Sequence, residues 1–191
     1  MKLNDFLKIP KEELVGKIIC FPTDTVYGVA AMFNDKEAAE KIYQLKERDI
    51  HKALPVLAGK LDDVLKYVEI PNPKVTEIMK EYWPGALTII FNKKNDVKYL
   101  VNEEFKTIGF RIPNSEVART ILNKYGPFLT TSVNLSGSLP LNSYEEITKH
   151  FGDRIDYIIE DVETTSNVSS TVVDATSHPF KILRQGDIII K

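Results

Sequence analysis

One cysteine, Cys20, in 191 residues excludes a disulfide framework and a cysteine-built zinc site. The three histidines, His51, His150 and His178, fall in no HExxH or other metal spacing, so no protein-held zinc is expected. There is no GxxxxGK(S/T) loop, no GxGxxG and no GxSxG, which removes the phosphate-loop, dinucleotide-fingerprint and hydrolase-elbow chemistries. The longest apolar run, around residues 87–91, is too short to span a bilayer. The polar N-terminus has no apolar core segment, so no secretory signal is expected. Charge of one sign is also scarce. With 25 Lys+Arg against 27 Asp+Glu, the net charge of −2 argues against a globally basic nucleic-acid clamp, and any anion site must be a local cluster.

What remains is ordinary globular composition, 43% hydrophobic and 27% charged, in a chain long enough for one domain spanning residues 1–191. Cys20 lies in the run Lys17-Ile18-Ile19-Cys20-Phe21 and reads as a buried strand residue; its lone, unpaired thiol fits a cytosolic protein. Short Ile/Val-rich runs alternate with amphipathic stretches, the pattern of an α/β fold. The expected strands cover residues 17–21, 54–58, 86–91, 107–112, 128–132, 157–160, 171–174 and 181–183, with a last short one at 188–190. The expected helices cover residues 35–45, 61–68, 75–82, 116–125 and 144–150. Asn34 or Asp35, Ser115 and Ser143 stand where N-caps are needed, and Glu146 completes a capping box with Ser143. Most strands run into polar loops, and in open α/β sheets ligands collect at such strand ends.

Five segments carry candidate chemistry. Pro22-Thr23-Asp24-Thr25-Val26-Tyr27-Gly28 packs hydroxyls and a carboxylate into one turn, suited either to local backbone bonds or to a polar ligand. Lys46-Glu47-Arg48-Asp49-Ile50-His51-Lys52 offers three cations in seven residues, which complement a helix dipole or clamp phosphates. Arg111, near the end of the apolar strand that starts at Thr107, needs a paired anion if its head is buried and otherwise makes a good carboxylate receptor. Thr130-Thr131-Ser132-Val133-Asn134-Leu135-Ser136-Gly137 supplies hydroxyls, an amide and backbone N–H groups. Ser169-Ser170-Thr171-Val172-Val173-Asp174 returns ten residues later to Arg184-Gln185-Gly186, as a hairpin with polar ends would. Convergence of Lys46, Arg48, Lys52, Arg111 and Arg184 would build a basic cavity walled by hydroxyls, able to hold a polyanion beside a small polar partner.

Read in order, PTDTVYG at residues 22–28, KxR at 46–48, WPGALT at 83–88, TIGFRIP at 107–113, SVNLSG at 132–137, STVVD at 170–174 and ILRQG at 182–186 resemble the YrdC/TsaC family of threonylcarbamoyl-AMP synthases. The match runs from about residue 15 to 190. Asp49, Val133 and Leu57 depart from the usual pattern. The resemblance implies a twisted open mixed sheet with flanking helices around a large positive cavity. It implies a nucleotidyltransferase that joins L-threonine, bicarbonate or CO2, and ATP into threonylcarbamoyl-AMP and diphosphate for tRNA modification. It places Thr25, Arg111, Thr131 and Ser170 around L-threonine. It places Lys46, Arg48, Lys52, Thr107, Asn134, Ser136, Ser143 and Arg184 around ATP, with Lys46 and Arg48 in the catalytic role. Mg2+ would arrive on the ATP phosphates. The implied downstream partners are TsaD, TsaB and TsaE, with at most a weak tRNA contact and no membrane. The alternatives are an RNA-binding module and a paralogue of the same fold using another carbamoyl or acyl substrate.

Overall fold

The computed structural model describes residues 1–161 and 165–190. Strands are β1 (Ile19–Phe21), β2 (Gly28–Met32), β3 (Val56–Leu57), β4 (Leu87–Asn92), β5 (Thr107–Arg111), β6 (Phe128–Ser132), β7 (Tyr157–Ile158), β8 (Thr171–Asp174) and β9 (Lys181–Arg184). Helices are α1 (Leu3–Phe6), α2 (Lys36–Lys46), α3 (Leu61–Leu65), α4 (Pro73–Tyr82), α5 (Glu116–Tyr125) and α6 (Tyr144–Phe151), with a 3-10 turn over Lys11–Leu14. Among the described residues the strands form one sheet in the order β7-β1-β2-β6-β3-β5-β4-β8-β9. It is mixed: β7/β1, β3/β5 and β4/β8 run parallel, and the other pairs run antiparallel. No helix among the described residues is long and apolar enough to cross a membrane.

Helix starts follow local chemistry. The side chains of Asp35, Asn72, Ser115 and Ser143 accept hydrogen bonds from the amides of Ala38, Val75, Ala118 and Glu146, satisfying first-turn N–H groups. Beyond the caps, the two sheet faces divide the core. Ile42 and Leu45 of α2, Ile78 and Met79 of α4, and Ile147 and Phe151 of α6 pack with Cys20, Val29, Leu129, Phe110 and Ile89. On the other face Phe6, Leu14 and the α5 residues Ala118, Ile121 and Leu122 pack on Ile19, Phe21, Ala30 and Phe128. The period-two alternation of strands explains the split. Tyr125 ties the N-terminal segment down by donating its hydroxyl to the carbonyls of Phe6 and Ile9, at 3.0 and 2.9 Å.

Three departures from expectation have simple causes. Strand β2 begins at the last residue of the 22–28 turn and runs through residues for which no element was expected; Gly28-Val29-Ala30-Ala31 has weak strand propensity, but it pairs between β1 and β6 and is buried there. Residues 188–190 form no strand: the Ile188 carbonyl is taken by the Thr171 hydroxyl and the Gln185 amide rather than by a ladder. Strand β3 shrinks to two residues because Pro55 has no N–H to give, although its carbonyl accepts from the Thr130 amide.

Candidate active site

Helix α5 and the N-terminal segment cover only part of the second face. Beside them, over β6, β3, β5, β4 and β8, lies a cavity of about 380 Å3, a size usual for small-molecule sites. Strand alternation builds its floor. Thr107, Gly109 and Arg111 of β5, Thr88 and Ile90 of β4, and Val172 of β8 line it, while Phe110, Ile89 and Val173 turn into the helix-side core. Thr23, Thr25 and Val26 from the turn after β1 form one wall, and Arg48 with the 53–55 segment forms another. Thr130, Thr131, Ser132, Ser169, Ser170 and Arg184 complete the lining. The floor is thus a sheet face rather than the loop cluster at strand ends that sequence reasoning expected, because the polar residues alternate along the strands themselves.

Among the described residues, three arginines and no aspartate or glutamate line the cavity. Arg111 is 6% exposed. Its Nε donates to the Gly85 carbonyl at 3.0 Å, its Nη1 to the Thr25 hydroxyl at 2.7 Å, and its Nη2 to the Asp24 carboxylate. Burial lowers its pKa, the Asp24 charge opposes that shift, and the nearby Arg184 charge adds to it. Arg184 donates from Nε to the Ser170 carbonyl at 2.9 Å and from Nη2 to the Ser170 hydroxyl at 3.2 Å. Burial lowers its pKa too. Arg48 lies half-buried after α2, with Nε and Nη2 on the carbonyls of Lys52 and Ala53, both at 3.2 Å. Among the described residues neither Arg48 nor Arg184 has a carboxylate within 4.0 Å.

Of the expected residues, the fold brings Thr25, Arg48, Thr107, Arg111, Thr131, Ser170 and Arg184 to this cavity. Five others stand elsewhere. Lys46 is buried behind the wall, and its ammonium is used up by the Ser132 carbonyl (2.5 Å), the Asn134 carbonyl (2.9 Å) and Asn134 Oδ1 (2.7 Å). Asn134 is the other half of that tie, and the Ser136 amide returns to the Lys46 carbonyl at 2.9 Å. The side chain of Lys52 points to solvent, and only its carbonyl serves Arg48 and Tyr43. Ser143 spends its hydroxyl capping α6. Burial, reinforced by the Arg48 charge, pushes the Lys46 pKa down to about 8.

Two contributors lay in motifs read from the sequence but were not among the expected site residues. Thr88 pairs its hydroxyl with that of Ser170 at 2.8 Å, and Asp24 holds Arg111. Thr88 carried a usable signal, a lone hydroxyl inside an otherwise apolar run. Asp24 carried none beyond its place in a polar turn. Gly186 also matters: a Cβ there would lie 2.3 Å from the Ser169 carbonyl and 2.7 Å from the Thr171 amide, so only glycine lets this chain segment lie against the Ser170 backbone that Arg184 grips.

The model of the Sua5/YciO/YrdC family, described as "Telomere recombination", matches residues 14–186. The chain belongs to this family. A Vibrio campbellii member named threonylcarbamoyl-AMP synthase is 29% identical over 187 residues, covering 96% of this chain and all of the relative. A Pyrococcus abyssi member of the same name is 31% identical over 175 residues, which is 91% of this chain and 51% of the relative. The crystal structure of P. abyssi Sua5 complexed with L-threonine superposes with a TM-score of 0.86 at 28% identity, over 96% of this chain and 54% of that one. The Sua5/YciO/YrdC sheet and the cavity on its open face are therefore the frame in which these side chains act.

Proposed function

We propose that this protein is an L-threonylcarbamoyladenylate synthase, a nucleotidyltransferase that makes threonylcarbamoyl-AMP and diphosphate from L-threonine, bicarbonate or CO2, and ATP. The observation that carries the reading is the cavity wall: Arg48, Arg111 and Arg184 beside the hydroxyls of Thr25 and Ser170, with no carboxylate in the lining among the described residues. The names of the relatives support it. The reactants are anions that repel, and each unit-charge pair at about 4 Å is worth about 4 kcal/mol at an effective dielectric near 20. A cationic wall offsets that repulsion.

Arg111 receives the threonine carboxylate, with Thr25 and Ser170 fixing its polar neighbours and Thr131 behind them. The threonine amine forms a C–N bond to CO2 and releases a proton to give a carbamate. A carbamate oxygen then bonds to the α-phosphorus of ATP as the bond to the β-phosphate oxygen breaks and diphosphate leaves. Arg48 and Arg184 hold the phosphates near Thr107. Lys46, with Asn134 and Ser136, acts from behind by fixing the 132–138 loop beside the nucleotide. Catalysis rests on positioning and on charge stabilisation. Among the described residues no three His, Cys, Asp or Glu side chains converge; Mg2+ bound by the ATP phosphates would neutralise part of their charge. The product would pass in the cytosol to the tRNA-modifying partners TsaD, TsaB and TsaE.

The test is mass spectrometry of the protein incubated with ATP, 13C-bicarbonate and L-threonine. The expected result is a 13C-labelled mixed anhydride with one diphosphate per product. Arg48→Ala, folded by circular dichroism, should lose about a hundredfold in rate or more. Full activity of that variant, or a wild-type protein that forms no anhydride, overturns the assignment.

A further inference from the structure

We propose that Asp24 is a positioning residue for substrate recognition: it fixes the Arg111 guanidinium so that its remaining N–H donors are set for a substrate carboxylate. The inference rests on the reading that Arg111 receives the threonine carboxylate. A guanidinium has five N–H donors in one plane. Three protein acceptors from three chain segments engage it: the Gly85 carbonyl on Nε, Thr25 on Nη1 and Asp24 on Nη2. Three fixed points in a plane remove every rotation of the group, which leaves two N–H donors in a defined direction beside the cavity that Arg111 lines.

The other two anchors cannot do this alone. Gly85 and Thr25 are neutral, and Arg111 stands close enough to Arg184 to feel its charge in a buried setting. Asp24 is the carboxylate that offsets this repulsion among the described residues, and it does so at Nη2. Asp24 is itself held: its side chain is 16% exposed, and its backbone carbonyl accepts from the Ser166 amide at 3.0 Å. The Thr25 hydroxyl bonds the Thr23 hydroxyl at 3.0 Å, and Thr23 closes the turn onto the Val26 carbonyl at 2.7 Å. The 22–28 turn is therefore a rigid bracket for one arginine.

The experiment measures L-threonine and ATP binding by calorimetry, and the threonine KM against kcat, in wild-type protein, Asp24→Ala and Asp24→Asn. Loss of a charge-assisted hydrogen bond that orients the receptor predicts an L-threonine Kd and KM about tenfold higher or more in Asp24→Ala. ATP affinity should stay unchanged. Asp24→Asn keeps an acceptor oxygen in place but not the charge that offsets Arg184, and should restore only part of the threonine affinity. Asp24→Ser, too short to reach Nη2, replaces Asp24→Ala if that variant does not fold. Unchanged threonine affinity in the Ala or Ser variant overturns the proposal. Tighter threonine binding also overturns it, since Asp24 would then be a competitor for Arg111 rather than its guide. A second readout needs no threonine. The guanidinium resonances of Arg111 should be sharp and exchange slowly in the wild type and average in the variant. Unchanged resonances overturn the role of Asp24, whereas a wild type that binds no L-threonine overturns the functional reading instead.

Discussion

Burying a charged side chain is unfavourable unless its hydrogen bonds are met, and the fold meets them in a different way at Arg111, Arg184 and Lys46. Arg111 has a carboxylate and two neutral acceptors, Arg184 has the two oxygens of Ser170, and Lys46 has three oxygens of one loop. The arrangement of Lys46 gives a pH prediction. Its pKa falls from 10.5 in the unfolded chain to about 8 in the folded one. Below the lower value both states hold the proton, and the burial penalty is fully present. Between the two values the unfolded chain binds more protons, so this group adds stability as pH rises. In urea titrations the stability of the wild type relative to Lys46→Met should be flat below about pH 8 and climb above it. A difference that stays flat to pH 10 contradicts this account. The deprotonated amine also has only two N–H bonds for three oxygens, so the tie to Asn134 loosens in the same range.

At the scale of elements, glycines decide where strands can meet. Gly28 begins β2 beside Thr130 of β6, whose methyl would lie 2.6 Å from an added Cβ, so the missing side chain is what lets the two strands approach there. Gly186 does the same after β9, against backbone atoms that cannot rotate away. Gly186→Ala should push the β9 end off β8 and break the Arg184 contacts to Ser170. Overpacking of this kind costs about 1–3 kcal/mol. The expected result is a lower denaturation midpoint together with weakened ATP binding, and an unchanged ATP affinity would separate Arg184 from the phosphates. The starts of α2, α5 and α6 were legible because their caps are local, one side chain reaching an amide three residues on. Strand β2 was not legible, because its alanines are buried only once β1 and the sequence-distant β6 flank them.

The whole molecule is one sheet with an open region on one face, and its behaviour with ligands should follow from that. A ligand bound only by the folded state, at about a hundredfold its Kd, adds about 2.7 kcal/mol. For a chain of this length that is a rise in Tm of about 5–10 °C. ATP with L-threonine should give such a shift, larger than either alone, while RNA should give none. A shift with RNA alone, falling steeply with salt, would instead favour a nucleic-acid module.

The amino-acid sequence determined the alternation of strands and helices, the caps, the buried character of Cys20 and the ordered motifs by which the family is recognised. Those features are written in neighbours a few residues apart, or in residues that stand out by type. Tertiary structure alone decided which cations face the cavity. Lys46 and Arg48 are two residues apart, yet the left-handed Glu47 that ends α2 separates them, one side chain tied to the 132–134 loop and the other on the cavity wall. Asp24 and Arg111 are 87 residues apart, yet share a bond. Proximity in space is set by sheet order and by which face a strand residue takes, and neither is a property of a short stretch of chain.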